Sequence, residues 1–167
     1  YAFSCATGLK NIVLPEGITT IENYAFDGAT SLQQITLPES LVTIGDCAFR
    51  NTTSLQQITL PGNLITIGSL AFSGSGLTSI LIPESVTSVK YEAFAYSGLV
   101  SVKFANEKQN GKTVLASRAF VGCTNLESIE LSENIVEMGG GLIAETKVES
   151  VTVPKSVKKF DRQASWS

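Results

Sequence analysis

The residues of this chain best suited to chemistry are three cysteines, Cys5, Cys47 and Cys123, and fifteen carboxylates. A thiol becomes a nucleophile when a base or a positive field lowers its pKa, and a metal site needs its ligands clustered. The 167 residues include no histidine, the commonest general base and metal ligand. The cysteines are far apart in sequence and offer no workable metal spacing. Asp27, Glu39, Asp46 and Glu84 sit among turn residues and read as solvated side chains, and Asp27 and Asp46 fit no calcium-loop pattern. Gly139-Gly140-Gly141 lacks the Lys-Ser/Thr of a phosphate loop and the spacing of a dinucleotide fingerprint. Neither an enzyme nor a bound cofactor is expected.

Bulk composition narrows the class further. Hydrophobic residues make up 43% of the chain and mean hydropathy is +0.20, which fits a packed chain and not a disordered one. Only 16% of residues are charged, against roughly 25% in an ordinary domain. The net charge of −3 gives no basic field for nucleic acid. No apolar run approaches the roughly 20 residues of a membrane span. The opening "YAFSC" falls in mid-repeat, so residues are expected to precede it in the natural protein, and a missing export signal carries no weight.

What positions the side chains is a repeat. "SLQQITLP" occurs at Ser31–Pro38 and again, letter for letter, at Ser54–Pro61. Phe recurs at 3, 26, 49, 72, 94 and 120, each time preceded by Ala. A Leu follows five or six residues later, at 9, 32, 55, 77, 99 and 126. Three further on stands Ile or Val, and Pro closes the segment at 15, 38, 61 and 83. A seventh, weaker copy survives as Val148, Val151, Val153 and Pro154.

Each unit reads as two short strands and a bend. The first strand, around "LQQITLP", alternates apolar and polar residues with period two. Pro ends it because it has no N–H for a ladder. The second, such as "LVTIG" at Leu41–Gly45, is shorter and β-branched, and the Gly, Ser and Thr that follow supply turns. One such unit buries too little to offset the entropy of ordering it, so the copies must stack. Identical letters in successive copies then suit identical environments in a parallel sheet, with strands about 4.8 Å apart. The first strands are expected to form one continuous sheet, and the six Phe rings one buried column.

The pattern L-x-x-I-x-L-P…I-G-x-x-A-F resembles the BspA-like leucine-rich repeats, close in length and spacing to those of treponemal type. "LQQITLPESLVTIGDCAF" and "LQQITLPGNLITIGSLAF" are its best copies, and the match spans essentially the whole chain. The resemblance implies a right-handed leucine-rich-repeat solenoid, mostly β and irregular, with a parallel sheet on its concave face. It also implies a large secreted or cell-surface protein, some relatives of which are associated with adhesion to host matrix proteins or other cells. About seven repeats of 22 to 26 residues would fill 1–160 as a single solenoid, the first incomplete, leaving 161–167 ("DRQASWS", with the single Trp166) as a non-repeat tail.

Departures from the pattern mark further candidates. Ala105 stands where Pro is expected, and Ala105–Lys112 inserts polar, turn-rich residues that read as a loop bulging from one coil, or as a binding loop. Gly139–Gly141 suggests a loosened turn. The cysteines belong to different coils, so three unpaired thiols in small core slots are expected. A partner would meet the outward positions of the first strands. Gln34, Thr36, Gln57, Thr59, Ser79, Leu81, Ser101 and Lys103 are the candidate protein-binding residues. The stripe has little charge and no aromatic anchor. Two functions fit it: an adhesive, protein-binding segment, or a structural spacer that projects another domain.

Overall fold

A computed structural model describes residues 1–106 and 112–160; part of the Ala105–Lys112 insertion and the whole 161–167 tail, with Trp166, lie outside the described residues. Each coil holds up to two short strands. The first strands are β1 (Asn11–Val13), β3 (Gln34–Thr36), β6 (Ser79–Ile82), β8 (Ser101–Phe104) and β10 (Ser128–Glu130). The second strands are β2 (Thr20–Ile21), β4 (Thr43–Ile44), β5 (Thr66–Ile67), β7 (Ser88–Val89), β9 (Thr113–Leu115), β11 (Ile135–Met138) and β12 (Lys159–Phe160). All pairings are parallel. The described residues contain no helix. The chain is a parallel β-solenoid of about six turns.

The continuous sheet is not the expected one. It is built by the second strands, seven of them in the order β12-β11-β9-β7-β5-β4-β2. The first strands instead form two separate ladders, β1-β3 and β10-β8-β6. Between them lies Ser54–Pro61, which carries the same eight letters as the segment containing β3 yet forms no strand. Gln33 and Gln34 both donate backbone N–H groups to the Lys10 carbonyl (2.8 and 3.1 Å), and Gln56 and Gln57 make no matching bonds to Gln33. The spacing changes at this junction. Leu55 follows Phe49 by six residues, whereas Leu77 follows Phe72 by five. The third coil therefore faces neighbours whose turns differ by one residue, although such a difference alone does not break a ladder: Leu99 and Leu126 follow their Phe by five and six residues, and β8 and β10 still pair. The ladder resumes beyond it, where the Thr78 N–H reaches the Gln56 carbonyl at 3.1 Å.

The bend around Ala-Phe is as tightly tied between coils as the strands are. Phe26, Phe49 and Phe72 donate their N–H groups to Ala48, Ala71 and Ala93 of the following coil at 2.7–2.8 Å. The residues two before and two after each Phe do the same; around Phe49 these are Cys47 to Ser69 and Asn51 to Ser73, both at 2.8 Å. For all three N–H groups to point the same way, the flanking residues must be left-handed. Tyr24 and Gly28, Cys47 and Asn51, Leu70 and Gly74, Glu92 and Tyr96, Arg118 and Gly122 all have φ between 53° and 69°. A left-handed side-chain-bearing residue costs roughly 1–2 kcal/mol, and the inter-coil bonds hold it there because an unpaired backbone group would also be costly.

The bend sets the core. Consecutive Phe rings stack at 5.1–5.4 Å with interplanar angles of 2–13°, the offset geometry that aromatic pairs favour. Phe26, Phe49, Phe72, Phe94 and Phe120 are buried as expected. Phe3 is 38% exposed, because it has a ring neighbour on one side only among the described residues. Rows of Leu32, Leu55, Leu77, Leu99 and Leu126, and of Ile21, Ile44, Ile67, Val89 and Leu115, complete the interior.

The glycine triplet is a fitted turn and not a loosened one. Gly141 takes the left-handed position two before Ile143 with φ 62°. Gly139 matches Gly45 and Gly68, four residues before the core ring position, and a Cβ there would overlap the Ser117 backbone nitrogen of the preceding coil. Two of the three glycines thus answer specific demands of the stack.

Candidate functional site

The outward positions of the first strands share one face of the solenoid. Gln34, Thr36, Gln57, Thr59, Ser79, Leu81 and Lys103 are exposed, and Ser101 is half-buried. Alternation explains this, since the intervening Ile35, Ile80, Ile82, Val102 and Phe104 point into the core. The registers bring Ser79 beside Ser101 and Leu81 beside Lys103 in one ladder, and Asn11 beside Gln34 and Val13 beside Thr36 in the other. Gln57 and Thr59 lie between the two ladders and belong to neither. Lys103 pairs with Glu130 of the next coil at 3.0 Å, with both side chains more than 60% exposed, where such a pair contributes little. Leu81, 54% exposed, is the large apolar side chain among the eight.

All three cysteines are free, as their separate coils require. Cys47 and Cys123 occupy the core, and Cys5 is exposed at the first coil, a departure from the expected buried slot. Burial pushes the Cys47 and Cys123 thiols above their ordinary pKa. That is the opposite of what a nucleophilic cysteine needs. The Cys123 Sγ lies 3.3 Å from Ser97 Oγ and donates to the Phe94 carbonyl at 3.1 Å, so it serves as a packed hydrogen-bonding group. Native protein treated with an alkylating reagent at neutral pH is expected to gain one label quickly, at Cys5, and three only after unfolding, by intact-mass measurement. Rapid triple labelling of folded protein would contradict the burial of Cys47 and Cys123. Among the described residues no group of three or more His, Cys, Asp or Glu is placed to hold a metal.

Several inter-coil polar contacts escaped the sequence reading. Arg50 grips Asp27 with both ends of its guanidinium, Nε to Oδ1 at 2.9 Å and Nη2 to Oδ2 at 2.7 Å. It also lies 5.7 Å over the Tyr24 ring, which stacks on Tyr1 at 5.2 Å. The hydrogen bond to Asp27 holds the Arg50 pKa above its ordinary value. Asn23 and Asp46 each accept a backbone N–H from the next coil at 2.8 Å, from Asp46 and Ser69 respectively. Ser40, Ser85 and Ser156, each two residues after a Pro, donate hydroxyls to the preceding coil's Ile18, Leu64 and Ile135 carbonyls at 2.7–2.9 Å. The signal was available, because these pairs are 21 to 23 residues apart, one repeat period. All of these contacts tie coils together and leave the outward stripe free.

The family model for the BspA type leucine rich repeat region matches residues 1–112 and 107–166 and is built of six copies. This chain belongs to the BspA-type leucine-rich repeat family. Leucine-rich repeats of this kind commonly mediate protein binding, and the family and its structural neighbours are in general non-enzymatic. Among solved structures, the T. pallidum leucine-rich repeat protein is 30% identical, with a TM-score of 0.76 over 89% of this chain and 69% of that one. A leucine-rich repeat protein from Bacteroides ovatus is 26% identical, with a TM-score of 0.67 over 96% of this chain and 48% of that one. The pneumococcal vaccine antigen PcpA, 22% identical, shares the fold with a TM-score of 0.58 over 90% of this chain and 35% of that one. This chain thus spans about half or less of the length of two of these three relatives. A comparison with curated proteins finds no match. No helix among the described residues is long and apolar enough to cross a membrane.

Proposed function

We propose that this chain is a non-enzymatic, protein-binding segment of a secreted or cell-surface protein. Residues 1–160 act as one solenoid of about seven repeats, and the outward stripe presents Gln34, Thr36, Gln57, Thr59, Ser79, Leu81, Ser101 and Lys103 to a host extracellular-matrix or cell-surface protein. The observation that carries this reading is the division of labour in the first strands. Their inward residues fill the core, while seven of these eight outward residues are exposed and add nothing to it. A broad, repeated face of this kind suits recognition of a protein over several coils. Replacing both Gln34 and Gln57 by Lys is the test, with binding to a panel of matrix proteins and thermal melting measured together. Lost binding at an unchanged melting temperature supports the contact face. Full-strength binding by the double variant moves the site elsewhere. A wild-type chain that binds none of the panel, yet melts cooperatively, favours the spacer role.

A further inference from the structure

One carboxylate is missing from the loops that follow the first strands. Pro15, Pro38 and Pro83 are each followed by Glu, but Pro61 is followed by Gly62. Gly62 is not left-handed, and nothing lies within 4 Å of a Cβ added there. The next side chain, Asn63, is turned back, its Nδ2 donating to the Glu39 carbonyl at 2.9 Å. The third coil therefore leaves a notch between the coils that carry Glu39 and Glu84. The notch belongs to a groove of about 370 Å³ whose lining includes Ile58, Leu60, Leu81 and Pro83 together with Gly62 and Glu84.

The lining selects the guest. Leu81 is 54% exposed, and a guest that covers it removes apolar surface from water. Glu84 is half-buried, and an apolar or anionic guest would desolvate its carboxylate without compensation. A carboxylate has about four acceptor sites, so one that already makes a contact can still receive a cation. Lys103, beside Leu81 in the ladder, does not fill this role, because its ammonium is drawn to Glu130 at 3.0 Å on the other side of β8. Apolar walls with a carboxylate among them suit a side chain with an aliphatic stem and a compact positive head. The net charge of −3 favours the approach of a basic partner.

We propose that the groove over Gly62 receives a lysine side chain of a protein partner, its stem against Leu81 and Pro83 and its ammonium at Glu84. The site rests on the protein-binding reading above and names the chemistry of the partner. Amide NMR of the whole chain tests it with the peptide Ac-Ser-Ser-Lys-Ser-Ser-NH2 as probe, beside a second peptide in which norleucine replaces Lys. The lysine peptide should shift the Gly62, Leu81 and Glu84 amide signals saturably at millimolar concentration. The norleucine peptide, which keeps the stem and loses the charge, should bind about tenfold more weakly. Glu84→Gln should bring the lysine peptide down to the norleucine level. Gly62→Leu fills the notch from open space, so it should leave the melting temperature nearly unchanged and weaken both peptides about tenfold. If Glu84→Gln lowers the melting temperature enough to unfold the chain, the Gly62→Leu comparison decides. Equal affinity for the two peptides would overturn the proposal, as would full-strength binding by Gly62→Leu. Shifts centred on Glu16 or Glu133 would overturn it too, as would no saturable shift up to about 50 mM peptide. The matrix-protein panel is read independently of these peptides, so a lysine peptide that fails beside a matrix protein that binds removes this site and leaves the protein-binding reading in place.

Discussion

Phe49→Ala is expected to lower unfolding free energy by about 3–5 kcal/mol. The ring is fully buried and has Phe26 on one side and Phe72 on the other, each with centroids 5.1 Å away. Its removal opens a cavity that the neighbours cannot fill, because each is held by its own backbone N–H bond to the next coil: Phe26 to Ala48 at 2.8 Å and Phe72 to Ala93 at 2.7 Å. Phe3→Ala makes the internal comparison. That ring is 38% exposed and has a single stacking neighbour, so its loss should cost only about 1 kcal/mol. Urea denaturation of the two variants beside wild type measures both. A Phe49→Ala cost below about 1 kcal/mol would mean that the column does not hold the solenoid together.

Gly68→Ala should also be strongly damaging, at about 3 kcal/mol. An added Cβ would fall 2.5 Å from the Gly45 carbonyl carbon and 2.6 Å from the Asp46 nitrogen. Both are backbone atoms, so no side chain can swing aside, and the coils would have to move apart. That movement would strain the Gly68 N–H bond to the Ile44 carbonyl, 2.8 Å long, and the ring stack beside it. Gly62→Ala is the control, because nothing lies within 4 Å of its added Cβ, and its effect should stay within about 0.5 kcal/mol. If the two substitutions cost the same, the close approach of coils at Gly45 and Gly68 does not limit stability.

Much of this was legible in the letters alone. The spacing of Ala-Phe, Leu and Ile announces stacked coils, because a core that repeats must present the same residue to the same neighbour every turn. The burial of Phe26 through Phe120, the parallel second strands and the unpaired cysteines all follow from that period. So does the exposure of Gln34, Thr36, Ser79 and Leu81, since alternate residues of a strand take opposite faces. The tertiary structure decided what period cannot encode. Ser31–Pro38 and Ser54–Pro61 are identical in sequence, yet only the first contains a strand. A ladder needs donors and acceptors on the neighbouring coil as well as on the segment itself, and the letters of one segment do not encode them. Cys47, Leu70, Glu92 and Arg118 adopt a left-handed backbone that none of them favours locally. They do so because their N–H groups must reach the carbonyls of the coil beyond, a demand that appears only once the coils are stacked.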